Sequence, residues 1–177
     1  MMNLKKEYYE FGPWLTAITD EEDLTHQFSS LKDVILSSNV AYKIPVDKEW
    51  REVSEGELLY DQVITMDDHS IVCYRVIDGA AYSSAIRFGD ILYIRIIEKM
   101  LSCDIEIGTA EERLHFMYVP MPHEQSEQLL QLAQECFVKN NTGIHMNHIK
   151  VGDVTLHYKD DYEFTENNMK ELLAMAK

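Results

Sequence analysis

The sequence predicts an α+β protein: an antiparallel sheet fills the middle of the chain, helices flank it on both sides, and a small hairpin precedes the last helix. Three observations predict this. From Glu57 to Val119 the apolar residues recur with a period of two and are rich in β-branched and aromatic types. Turn residues cut that stretch into short segments with no helical period between them, which is the pattern of antiparallel meanders. Helical spacing returns in three places outside it, after Thr19, after Pro122 and after Thr165.

The elements follow in order. TDEE at residues 19–22 reads as a capping box, with the Thr19 hydroxyl available to the first amides and Glu22 three residues on. A helix is expected beyond it, with Leu24, Phe28, Leu31 and Ile35 on one stripe and the acids of residues 20–23 at the positive end of its dipole. LLYDQVITM (58–66) and SIVCYRVID (70–78) form a hairpin through Asp67, Asp68 and His69. Asp78-Gly79 makes the next turn, followed by AYSSAI (81–86), ILYIRIIEK (91–99), DIEIG (104–108) and RLHFMYV (113–119). Pro120 and Pro122 stop the sheet and suit the start of a helix. That helix has the stripe Leu129, Leu132, Ala133, Cys136 and Phe137 and ends through Lys139, Asn140, Asn141 and Gly143. In HIKVGDVTLHY, Gly152-Asp153 turns a hairpin, and Thr165 caps a last helix with the stripe Met169, Leu172, Leu173 and Ala176.

The 177 residues amount to a single domain, with an N-terminal helical extension (1–56), a sheet core (57–138) and a C-terminal hairpin and helix (139–177). The chain holds 31 acids against 16 bases, and residues 1–60, 61–122 and 123–177 carry net charges of −6, −5 and −4. Acidity this even repels phosphates and offers no cluster of Lys and Arg to release counterions, so neither nucleic acid nor an anionic lipid headgroup is an expected partner. The longest apolar runs, such as ILYI at 91–94, are far short of the roughly 20 residues of a membrane-spanning helix. The start, MMNLKKEYYE, lacks the apolar core of a secretory signal, and a cytoplasmic location is expected. Cys73, Cys103 and Cys136 are odd in number and widely spaced, unlike a disulfide framework or a zinc ribbon, and read as small core residues.

Residues 57–138 resemble a bacterial pleckstrin-homology-like domain. GELLYDQVITMDDHSIVCYRV resembles the first hairpin of such domains, AIRFGDILYIRII their passage from third to fourth strand, and CDIEIGT the strand after it. The resemblance implies a strongly bent sheet or partly open barrel closed by the amphipathic helix. It also implies a scaffold that self-associates or binds peptides. Members that grip phosphoinositides carry Lys and Arg in the first hairpin turn; here that turn is Met66-Asp67-Asp68-His69-Ser70, whose carboxylates would repel a phosphate.

Candidate chemistry is sparse. His145-x-x-His148 has metal-ligand spacing, with Asp153 or His157 as further donors, but Gly143 before it and a hairpin after it favour an ordinary polar loop. Asp67, Asp68, His69 and Ser70 put carboxylate, imidazole and hydroxyl in one turn, too tight for the mutual geometry of a triad. His115 alternates with Leu114 and Phe116 and is expected to face solvent. The aromatics Tyr8, Tyr9, Phe11 and Trp14 either fold back on the sheet or anchor a partner chain. The methionines, among them Met117, Met121, Met146 and Met169, read as adaptable core filler. No cofactor is expected. The function expected is a non-enzymatic, protein-binding or self-associating module. Two alternatives remain: an acidic inhibitor or immunity-type protein that captures a basic partner, and a hydrolase or small-ligand carrier using the mouth of the sheet.

Overall fold

The computed structural model describes residues 4–119 and 146–159, together with Gln131, Glu135, Asn140, Lys170, Glu171 and Ala174, which are helical. The stripes Leu129, Leu132, Ala133, Cys136, Phe137 and Met169, Leu172, Leu173, Ala176, together with Met121 and His145, lie outside the described residues.

The described chain is dominated by two five-stranded antiparallel sheets. The first has the order β1 (Thr16–Ala17), β2 (Val40–Pro45), β3 (Tyr60–Met66), β4 (Ser70–Ile77), β5 (Ala80–Arg87). The second has the order β8 (Arg113–Tyr118), β7 (Ser102–Gly108), β6 (Tyr93–Lys99), β10 (Val154–Lys159), β9 (Met146–Val151). Both meanders and the C-terminal hairpin stand where period and turn chemistry put them. Asp78 and Gly79 both take positive φ, 51° and 78°, as a two-residue type I′ connection requires. The hairpin expected at Gly152 is β9 and β10, and β10 joins the second sheet by pairing with β6.

The strands do not form one bent sheet, and they do not close into a barrel. After β5 a 3-10 turn over Phe88–Asp90 carries the chain from one sheet to the other, so that β6 pairs with β7 and β10. The sheets face each other across a core built by alternation. Tyr42, Ile44, Ile64, Met66, Ile71, Cys73 and Ile86 come from the first sheet, and Ile94, Ile96, Cys103, Ile105, Ile107, Leu114 and Phe116 from the second. Arg75 ties the layers at the margin, its Nη2 donating to the His115 carbonyl at 2.6 Å.

Residues 1–56 contribute more than helix. β2 pairs with β3 along its whole length and was not legible as a strand, because both of its faces are covered. Tyr42 and Ile44 point into the core between the sheets, while Ala41 packs on the opposite face with Val63 and Tyr74. Lys43 survives there by extending its ammonium to the Asp23 carbonyl at 2.8 Å and over the Tyr60 ring at 4.7 Å.

The long helix expected after Thr19 is replaced by a turn, a 3-10 segment (His26–Leu31) and one turn of helix α2 (Lys32–Leu36); a further helix, α1, spans Leu4–Glu10. Asp20 Oδ1 accepts from the Glu22 and Asp23 amides, and Asp23 Oδ2 accepts from the Thr19 amide and hydroxyl at 3.0 and 2.7 Å. These bonds close a capped turn, from which no α-helix is propagated before Lys32. The stripe nevertheless does what its pattern implies: Leu24, Phe28 and Ile35 are buried against the outer face of the first sheet.

That layer is integral to the fold. Phe28, with no exposed surface, fills the space over Val63 and Tyr74, so Phe28→Ala should cost about 3–5 kcal/mol. In urea, tryptophan fluorescence and far-UV circular dichroism should then shift to a lower midpoint together. Separation of the two transitions would show the layer to be an independent appendage.

Candidate functional site

The residues with candidate chemistry are dispersed over the fold. In the β3–β4 turn, Asp67 Oδ1 accepts from the His69 and Ser70 amides at 2.6 and 2.7 Å, and Oδ2 from the Ser70 hydroxyl at 3.1 Å. Its slight burial works against ionisation, but these three bonds prevail and hold the carboxyl below its ordinary range. Asn140 Nδ2 donates to the Asp68 carbonyl at 2.8 Å, which docks the turn on a helical residue. The Ser70 hydroxyl therefore serves Asp67 and not the imidazole of His69. This constellation holds a turn together.

His115 sits beside Asp104, Nε2 to Oδ2 at 2.8 Å, with half of its side chain exposed. Cys73 and Cys103 are both buried in the core between the sheets, where desolvation raises their thiols above the ordinary range. His148 and His157 face each other across β9 and β10, with ring centroids 6.1 Å apart. They are two possible metal donors; among the described residues no cluster of three or more His, Cys, Asp or Glu forms around them. Asp153, offered as a further donor, uses its carbonyl to accept from the Glu98 amide at 2.8 Å.

The N-terminal aromatics divide. Phe11 is buried edge-on to Tyr60, 5.7 Å between centroids, and burial pushes the Tyr60 hydroxyl up to about 12. Trp14 lies across Gly12 so closely that a Cβ there would meet its ring at 2.2 Å. Tyr8 packs on Trp50 at 5.6 Å, and Tyr9, 73% exposed, sits edge-on to Tyr8.

Two arrangements had no notice in the residue pattern. On the second sheet, away from the core between the sheets, Tyr93 Oη and Arg95 Nη2 both donate to Glu106, at 2.8 and 3.2 Å, and all three are buried. Gly108 belongs to this cluster, since a Cβ there would lie 2.2 Å from the Tyr93 ring. The charges in IRII and DIEIG were the available signal.

The second arrangement is a cleft of about 360 Å³ where the end of β2, the β6–β7 turn and the end of β8 converge. Its apolar wall is Pro13, Pro45, Val46, Leu101, Met117 and Val119, and its rim carries Asp47, Glu49 and Glu52 together with Lys48, whose ammonium lies 3.7 Å from the Glu57 carboxylate. The backbone holds this shape: the Val119 amide donates to the Pro13 carbonyl at 2.8 Å and the Val46 amide to Leu59 at 2.9 Å. The Glu49 amide donates to the Glu52 carboxylate at 2.9 Å, fixing the rim. Beside it the β6–β7 turn exposes Met100 and Leu101 by 92% and 73%. Neither residue takes positive φ, so the connection tolerates large side chains, but nothing in the turn itself requires two apolar ones at an exposed tip. A larger cleft, about 560 Å³, is lined by charges of both signs, Arg87, Asp90, Glu111, Glu112 and Lys159. Lys159 spends its ammonium on the Gly89 carbonyl at 2.6 Å.

The chain matches no family model, no curated protein and no solved structure.

The histidine pair makes a prediction of its own. Desolvation, aided by the field of His148, lowers His157 below 6.5, so the folded protein holds it neutral where the unfolded chain takes up a proton. Stability should therefore fall as pH drops from about 6.5 toward the folded value and level off below it. Urea midpoints at about pH 7.5 and about pH 5.5 should differ less in His157→Asn than in the native chain. Equal pH dependence in both would remove His157 as the cause.

Proposed function

We propose that the chain is a protein-interaction module whose cleft takes a basic, apolar-anchored segment of another protein. The observation that carries the reading is the juxtaposition of Leu101, Met117 and the exposed Met100 with a carboxylate rim. Exposed apolar surface ringed by polar groups marks association sites, and desolvating it supplies the affinity. Asp47, Glu49 and Glu52 select the sign of the occupant and speed its approach. Trp50, half exposed and packed on Tyr8, stands on the 3-10 turn that Glu49 caps and that carries Glu52.

This reading joins the scaffold expectation to that of an acidic protein that captures a basic partner. The order of elements supports a pleckstrin-homology-like relation over residues 57–138: a meander (β3–β5), a passage to a second meander (β6–β8), then helical Gln131, Glu135 and Asn140. The unclosed sheets and the strands supplied by β1, β2, β9 and β10 depart from that plan.

The test is fluorescence anisotropy with a labelled peptide in which Lys and Arg flank Leu and Trp, compared with its Glu-substituted counterpart. The basic peptide should bind, Leu101→Glu with Met117→Glu should weaken it about tenfold or more, and raising salt should weaken it severalfold. Equal affinity for the acidic peptide, or indifference to both substitutions, would overturn the proposal.

A further inference from the structure

β5 is an edge strand of an unusual kind. It ends the first sheet, runs for eight residues, and is exposed along nearly all of them. Natural sheets protect such edges by shortness, by charge or by cover. The other sheet edges among the described residues comply: β1 has two residues, β8 carries Arg113 and His115, and β9 carries His148 and Lys150. In β5 the run AAYSSAI, residues 80–86, holds no charge in a chain of net charge −15. It also holds neither proline nor glycine.

The register says which backbone groups are free to pair. A type I′ turn at Asp78-Gly79 makes Ile77 and Ala80 a hydrogen-bonded pair. Alternation along the ladder then turns the amides and carbonyls of Ala80, Tyr82, Ser84 and Ile86 toward β4. Those of Ala81, Ser83, Ala85 and Arg87 point outward. The Phe88 amide, which donates to the His69 carbonyl at 2.8 Å, continues the same alternation. The outward residues Ala81, Ser83 and Ala85 have small side chains, so another backbone can approach closely.

We propose that β5 pairs antiparallel with β5 of a second copy of the chain, joining the two first sheets into one. The pairing rests on the reading of the chain as an interaction module but uses a surface apart from the cleft. A two-fold axis at Ser83 sets Ala81 opposite Ala85 and Tyr82 opposite Ser84 of the second copy. Arg87 then lies opposite Gly79 of that copy, next to its Asp78, and the same contact recurs on the other side of the axis. The uncharged run lets two strongly acidic molecules meet, and the terminal Arg87–Asp78 complementarity fixes their register.

Sedimentation equilibrium from about 10 to about 500 µM should show a monomer–dimer equilibrium. Ser83→Lys, which sets two ammonium groups face to face across the axis, should lower association at least tenfold while leaving the urea midpoint unchanged. Asp78→Asn, tolerated at positive φ, should lower it severalfold. Hydrogen exchange on the native chain provides a reading independent of any variant. The amides of Ala81, Ser83, Ala85 and Arg87 should slow as concentration rises, and those of Tyr82 and Ser84 should not. A monomer throughout this range, a dimer indifferent to Ser83→Lys, or protection at another edge would overturn the proposal. Leu101→Glu should leave the dimer intact, so failure of the cleft reading and failure of the edge reading are told apart.

Discussion

The contact between the two sheets is the constraint on which the rest of this structure depends. Two twisted antiparallel layers can exclude water from the space between them only if each strand alternates in phase with its neighbours, because a slip of one residue would turn its apolar set outward. Ile64, Ile71 and Ile86 meet Ile94, Ile105 and Ile107 under that rule. At roughly 1.5–3 kcal/mol for each fully buried large aliphatic, this layer outweighs any hydrogen bond in the molecule. With the first sheet packed on its inner face, its outer face still carries Val63 and Tyr74 and needs cover of its own. The segment containing Leu24, Phe28 and Ile35 provides it, giving a helical layer on a sheet on a sheet.

Charges buried in such layers must be accounted for one by one. Glu106 receives both the Tyr93 hydroxyl and the Arg95 guanidinium, so its two oxygens are used. A buried pair of this sort adds little net stability, yet removing one partner strands the other at a cost of about 3–5 kcal/mol. Its consequence is register: Arg95 stands directly opposite Glu106 in the β6–β7 ladder, and a slipped pairing would leave both charges alone. Lys43 follows a different course. Burial lowers its ammonium below the ordinary range against the opposing fields of Glu7, Asp23 and Glu10, and the Asp23 carbonyl accepts a hydrogen bond from it. The turn that displaced the expected helix thus also supplies the acceptor for the one lysine of β2.

What the sequence disclosed and withheld follows from the same physics. The hairpins β3–β4, β4–β5 and β9–β10 were legible because turn residues and period-two alternation are local signals. β2 was not, since a strand covered on both faces loses its alternation, and VAYKIP resembles any short apolar run. The interruption after Thr19 was hidden because the bonds that Asp20 and Asp23 make to residues 19–23 suit an isolated capped turn as well as the start of a helix. The division into two sheets depends on Phe88–Asp90, three residues that read like any other connection. The cleft was out of reach altogether, for it gathers residues near 13, 45–52, 101 and 117–119 that only the tertiary fold brings together. One local clue was present in Met100-Leu101, two large apolar residues side by side between two strand-like runs.

The even acidity of the chain gives these surfaces their meaning. Spread over all three thirds of the sequence, it opposes the approach of copies at separations up to about the Debye length, about 8 Å at physiological ionic strength. Against that background the two places where charge lapses, the apolar wall beside Leu101 and the run of residues 80–86, are where close contact costs least. They differ in what surrounds them. The cleft keeps carboxylates at its rim, so its attraction for a basic segment weakens as salt screens it. The β5 run carries none of its own, with Glu112 beside it at Ser84, so salt weakens the repulsion between two acidic bodies more than it weakens the two Arg87–Asp78 contacts, and favours their pairing. Association through the cleft and association through the edge must therefore respond to ionic strength with opposite sign, because one draws on the charge of the surface and the other is opposed by it.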